Sequence, residues 1–327
     1  MFAGTSAEPE GRTTQLDTML DQMIPELVEL GDEAGLAIAF LCRAQVGWMN
    51  CRYTGAKAEC DLALASAEAA GDAQWVLQAT MTRGSCALRG STPVSEIMAI
   101  VEEMKVLEGS TYPSLRPFSS GVQSMVLGML GQFDEARRSS DEAMRMAVEF
   151  QGRITPAMYQ GRCRLESLAG NYEAGERFIA MGYDDLVRLG NVVNSSTFAG
   201  YRGRALVRLV RADEARRWAG VCRERTSSDD VINQHLWRTV DAVLAARDGR
   251  SDEADRLIDE AVEWADRSDD LLERAELCLD EAEIHHLGGR DDHARKALDH
   301  ARELYALKGA TVGVAVVARQ GAFLGLD

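Results

Sequence analysis

Long apolar runs, secretory features and paired cysteines are all missing from this 327-residue chain. No stretch of about 18 uncharged apolar residues occurs, the length a membrane-spanning helix needs, so no membrane partner is expected. The first dozen residues carry neither a basic nor an apolar segment; no secretory signal is expected, and residues 1–12 read as a disordered head. Seven cysteines make an odd set without a C-x-x-C pair. That points to reduced thiols in a cytoplasmic protein and away from disulfides, zinc or redox chemistry. Histidine is scarce as well, and four of the five cluster late: His285, His286, His293 and His300. The turn at Gly288-Gly289 separates them, so three ligands do not converge and no metal is expected. No nucleophile elbow, glycine-rich phosphate loop or zinc-protease helix appears. The expectation is therefore no enzyme, no catalytic residue and no cofactor.

Positive charge is also in deficit. Arginine and lysine number 36 against 52 acidic residues, a net charge of −16. The deficit is even: residues 1–163 hold 13 basic and 21 acidic side chains and the remainder 23 and 31, so each part nets −8. Phosphate backbones need a basic face, which argues against a nucleic-acid partner. An evenly acidic surface keeps a long exposed array soluble.

What is present is a period. Small residues recur at Ala44, Gly84, Ser124, Cys163, Gly203, Ala242, Ala282 and Gly321, with steps of 39 or 40. A fixed period in this range marks a stacked array whose units bury their apolar faces only against neighbours. A second series follows about twelve residues later: Ala56, Ala136, Gly175, Ala215, Ala254 and Ala294. Seven residues beyond each comes another small residue, from Ala63 and Ala143 to Ala301. Seven positions are nearly two helical turns, so each pair lies on one side of a helix and lets a neighbouring backbone approach. Gly131, Gly170, Gly249 and Gly289 suit the left-handed residue past a helix end, and acids just beyond favour the next helix start. Nothing alternates with period two for long enough to form a strand. The pattern predicts sixteen helices, eight of each kind, over residues 13–327. One stretch departs from it. Pro113 and Pro117, four apart, predict a longer loop or a hinge before the next helix.

In two units the order is a small residue, Gly-x-aromatic, a small residue and another seven further on. It reads Ser124, Gly131, Phe133, Ala136, Ala143 in one unit and Cys163, Gly170, Tyr172, Gly175, Gly182 in the next. This resembles tetratricopeptide repeats over roughly residues 13–326, with a HEAT-like array as the open alternative. The period exceeds the usual 34 residues of that family, so its second helices or turns must be extended. The segment 301–325 is similar to the carboxy-terminal sensor regions of bacterial regulators that carry a STAND- or AAA-type ATPase with a cyclase or LuxR-type module. The phosphate loop and DNA-binding module of those regulators are absent from this sequence, so their activities do not carry over.

The resemblance implies an all-α, right-handed TPR-like solenoid of about eight helical hairpins, whose first helices line a concave groove. Carried over by position, that groove takes Ile38, Leu41, Gln45, Trp48, Gln78, Met81, Ser85, Phe118 and Met125 from the amino-terminal half. From the other half it takes Gln160, Arg164 and Arg204, with Thr197, Leu236, Val243, Glu276, Glu283 and His286 beyond. The aromatic, thioether and amide mixture suits an adaptable site for an apolar ligand or helix. Arg43, Arg83, Arg162 and Arg202 each immediately precede a small residue. Helical geometry turns them from the groove toward the second helices and acids such as Glu135 or Glu173. The expected function is a regulatory interaction module holding a peptide or protein segment. The alternatives are a superhelix sensing a small-molecule effector, and a scaffold that dimerises through the apolar residues 311–326.

Overall fold

The computed structural model describes residues 12–326. The head expected at residues 1–12 lies outside them except for Arg12, where the first helix begins. The helices are α1 (Arg12–Leu30), α2 (Glu33–Met49), α3 (Tyr53–Ala70), α4 (Ala73–Arg89), α5 (Val94–Ser110), α6 (Arg116–Met129), α7 (Phe133–Gln151) and α8 (Pro156–Leu168). They continue as α9 (Tyr172–Arg188), α10 (Val192–Arg208), α11 (Ala212–Arg225), α12 (Val231–Arg247), α13 (Ser251–Ala265), α14 (Leu271–Leu287), α15 (Asp291–Lys308) and α16 (Gly313–Leu324). Among the described residues there is no strand, and no helix is long and apolar enough to cross a membrane.

The eight small residues of the period fall one on each even-numbered helix, and all are buried. Their counterparts on α3, α7, α9, α11, α13 and α15 are buried as well. Seven residues beyond Gly175, Gly182 shows why small residues are needed in such stripes: a Cβ there would stand 2.4 Å from the Phe198 ring and 2.9 Å from Tyr159. From α2 to α14 the even helices pack on the odd helices that follow them, α4 excepted, which packs mainly on α3, and this gives the TPR-like solenoid its hairpins. Glycines 131, 170, 249 and 289 are left-handed as expected, whereas one turn puts Val210 there instead (φ 57°). A side chain in that conformation costs about 1–2 kcal/mol. Asp32, Asp72, Asn191 and Asp270 cap the helices that open successive units.

The proline stretch differs from expectation. No long loop forms, because Pro113–Leu115 make a single 3-10 turn and Pro117 sits in the first turn of α6, where a missing N–H costs nothing. The arginines before the small residues do face the second helices, but their partners lie on the bodies of those helices. Arg43 meets Asp21, Arg83 meets Asp61 and Glu103, Arg162 meets Asp141, and Arg202 meets Glu176. Glu135 pairs instead with Arg138 one turn away.

The array coils until its end meets its beginning. Residues of α4, α5, α6 and α8 share one apolar core with α14, α15 and α16, including Ile97, Met104, Leu272, Tyr305 and Val316. The polar contacts across this seam satisfy exposed helix ends. Arg52 gives α3 no side-chain cap, and Asp269 supplies it from 216 residues away, its carboxylate accepting from the Tyr53 and Thr54 amides at 2.8 and 2.7 Å. Lys308, fully buried, donates to the Ala87 and Gly90 carbonyls at the end of α4. Arg319 does the same for Ser167 and Leu168 at the end of α8. An acid at a helix start and bases at helix ends are the signs the helix dipole favours.

Candidate functional site

Closure of the array leaves a cavity of about 200 Å³ inside it, open to solvent at its mouth. Its wall comes from the even helices α2 to α10, and α14 and α15 stand across from them. Eight of the groove residues expected from the sequence line it: Trp48, Ser85, Phe118, Met125, Gln160, Arg164, Arg204 and Glu276. Ile38, Leu41, Gln45, Gln78 and Met81 do not, nor do Thr197, Leu236, Val243, Glu283 and His286. Leu41 is buried with Ala63 and Ala79 in the core between α2, α3 and α4, because the groove face of these first helices turns partly into the neighbouring unit. Ile38, Gln45, Gln78 and Met81 lie half-buried near the start of the array, ahead of the cavity.

One end of the cavity is ionic. Asp270, at the amino-terminal cap of α14, is fully buried and accepts from Arg164 at 3.1 and 3.2 Å and from Arg89 at 3.2 Å. One turn on, Glu273 accepts from Arg164 at 3.3 Å, from the Tyr201 hydroxyl at 3.2 Å and from Arg204. Farther along α14, Asp280 meets Arg208 at 2.7 Å and Glu283 meets Arg247 at 2.6 Å. Glu276 accepts from the Tyr305 hydroxyl at 2.9 Å. Residues 270, 273, 276, 280 and 283 thus form one stripe on α14, laid against arginines of α4, α8, α10 and α12. The solenoid fills part of its own groove.

Burial alone would raise Glu273, but Arg204, His235, Arg164 and Arg89 outweigh it and hold the carboxyl at about 2. Asp280 goes the other way, raised by burial to about 6 despite Arg208 and Arg204. Burial lowers His235 to about 4, so it stands neutral 3.6 Å from Glu273. The rest of the lining includes an apolar group, Trp48, Leu88, Phe118, Met125, Met129 and Leu168, and the Arg89 guanidinium lies 5.8 Å from the Trp48 ring.

The lining holds several hydroxyls and a thiol without a base beside them. Ser124, Ser167 and Ser85 donate to helix carbonyls, and burial pushes the Cys163 thiol up to about 12. No histidine lines the cavity among the described residues. His286 is engaged with Asp291 at 2.8 Å, and no described group of three ligands could hold a metal.

Sequence reading missed Arg89, Arg208, Tyr172, Tyr201, Glu273 and Tyr305. A signal existed for the arginines: Arg89, Arg208 and Arg247 each lie five positions after a small residue, at the flank of the groove face. Opposite charge on α14, spaced by three or four residues on the same face, was its complement.

No family model matches the chain, and no curated protein matches it. Among solved structures it is similar to the crystal structure of the APC/C hetero-tetramer Cut9–Hcn1, with a TM-score of 0.60 and 11% identity. The likeness covers 88% of this chain and 53% of that one, so this chain spans about half the length of the other. The repeated all-helical arrangement and this neighbour establish a TPR-like solenoid.

Proposed function

We propose that the chain is a non-catalytic, regulatory binding module that takes a compact ligand into the cavity at the centre of its coiled array. The observation that carries this reading is the closure itself. Asp269, Lys308 and Arg319 tie the last units to α3, α4 and α8, and the concave face becomes a chamber. An extended peptide along the concave wall would have to displace α14 from Arg164 and Arg204, whose carboxylate partners are buried. Concave, mainly apolar chambers with a few convergent polar groups are where proteins hold small molecules. The resemblance to bacterial sensor arms supports a regulatory role in a cytoplasmic setting, where occupancy would be passed to a protein partner.

A thermal-shift screen of small metabolites tests this, because a ligand that binds only the folded chain raises its apparent stability by about 2.7 kcal/mol at a hundred times its Kd. A hit should raise Tm and appear in the native mass spectrum as one bound molecule per chain. Capture of an extended peptide together with expansion of the particle in small-angle scattering, and no small-molecule hit, would favour the open-groove reading instead.

Self-association through residues 311–326 belongs to the same proposal in a narrower form. Val316, Val317 and Leu324 of α16 face inward, and Val314 and Phe323 remain outside, 67% and 62% exposed. Light scattering that stays monomeric across the working concentration range would remove it.

A further inference from the structure

Where Asp270 and Glu273 meet the arginines at the cavity's ionic end, the donors outnumber the acceptors. Asp270 Oδ1 accepts from Arg164 and the Glu273 amide, and Oδ2 from Arg89 and Arg164. Glu273 Oε1 accepts from Arg204, and Oε2 from Arg164 and Tyr201. All four oxygens are engaged. Against them, Arg89 uses only Nη1 and Arg164 only Nη2 in hydrogen bonds among the described residues. A guanidinium carries five N–H donors, so most of theirs lack an acceptor. Arg204, 7% exposed, leaves Nε and Nη2 without a hydrogen-bond partner as well.

Arg164 and Arg89 keep 18% and 13% of their side-chain surface open, and both line the cavity. Arg204 is divided between Glu273 and Asp280, whose Oδ2 stands 3.7 Å from its Nε, so the unengaged donors that line the cavity belong chiefly to Arg89 and Arg164. A buried donor without an acceptor is costly, and a charge-assisted hydrogen bond is the strong way to satisfy it.

Resting on the reading of the cavity as a ligand site, we infer that its ligand is a small amphipathic acid. Its carboxylate is received by Arg164 and Arg89, and its apolar body lies against Trp48, Leu88, Phe118, Met125 and Met129. The ligand completes the donor set that the protein's own carboxylates leave open. The methionines accept bodies of differing shape, since unbranched thioethers repack readily. Head-group chemistry, more than chain shape, sets the preference.

Calorimetric titration with submicellar decanoate and naphthylacetate, each beside its alcohol (decanol and naphthylethanol), tests the inference on the full chain. Each acid should bind at least about tenfold tighter than its alcohol, the factor that one hydrogen bond to a charged group supplies. Arg164→Gln should bring each acid down to the level of its alcohol and leave the alcohols unchanged. Gly121→Leu provides a variant that does not touch the ion pairs. Gly121 lines the cavity, and a Cβ there meets nothing within 4 Å, so a leucine fills the space without a clash. It should weaken acids and alcohols alike. Equal affinity of acid and alcohol in the unaltered chain would overturn the inference and leave the cavity reading standing. If neither class binds, or if Gly121→Leu leaves binding intact, both fall.

Discussion

Two sets of arginines, a few positions apart on the same helices, work under different physical conditions. Arg43 and Arg83, just before the small residues, look outward to carboxylates that are themselves 41–72% exposed. Arg89, Arg164, Arg204 and Arg208 look inward to Asp270, Glu273 and Asp280, which retain at most 4% of their side-chain surface. In the outer set water reaches the carboxylate, so formation and loss of a pair nearly balance. In the inner set the carboxylate has left water and depends on the arginines for its solvation. On α4 the six residues between Arg83 and Arg89 separate one condition from the other, whereas on α8 and α10 Arg162 and Arg202 also reach buried acids, Glu166 and Glu176.

The largest break in this contrast comes from Glu273→Ala, which leaves Arg204, Arg164 and the Tyr201 hydroxyl facing an empty place. Removing one member of a buried charge cluster costs about 3–5 kcal/mol, and urea titration should show a midpoint lowered accordingly. Acid acts on the same residue with less violence. Because Glu273 is held at about 2 in the fold, below the usual carboxylate range, its contribution is full above the unfolded value near 4.5 and disappears as pH falls toward 2. Asp280, raised to about 6, has the opposite sign and loses stability as pH rises from about 4 to 6. The gap in unfolding midpoint between the unaltered chain and Glu273→Gln should therefore hold steady above about pH 4.5 and close as pH falls toward 2, whereas the Asp280 contribution runs the other way between about 4 and 6.

Lys308→Met is smaller. It removes the donor to the Ala87 and Gly90 carbonyls and leaves them buried without it, a loss of about 1–3 kcal/mol. Hydrogen exchange should rise first at the end of α4 and in α15, on both sides of the seam. Arg83→Ala should move the urea midpoint least, by about 0–1 kcal/mol, and most of that should vanish in high salt. An Arg83→Ala effect as large as that of Glu273→Ala would erase the distinction between the two sets.

The helices were legible because their signals are local. Small residues in register, left-handed glycines at 131, 170, 249 and 289, and capping acids such as Asp72 and Asp270 all act within a few residues of where they stand. The chamber was legible only by halves. Trp48, Phe118, Met125 and Arg164 share a helical face that periodicity points to, and they do line the cavity. What periodicity does not contain is curvature, and curvature decided that α14 would lie across from Arg164 and Arg204. Asp269 illustrates the limit: in sequence it is one acid in an ordinary turn, and its role as the cap of α3 exists only once 216 residues have coiled round. Leu41 shows the same limit in reverse, since a groove position near the start of the array is claimed by the adjoining unit.

A linear stack tolerates gain or loss of a unit, because each repeat answers only to its neighbours. The bond from Asp269 to the amides of Tyr53 and Thr54 removes that freedom. Inserting or deleting one forty-residue module between them would carry the carboxylate away from α3 and break the seal around the chamber. Copy number in this chain is thus a dimension of the cavity, held as firmly as the circumference of a barrel.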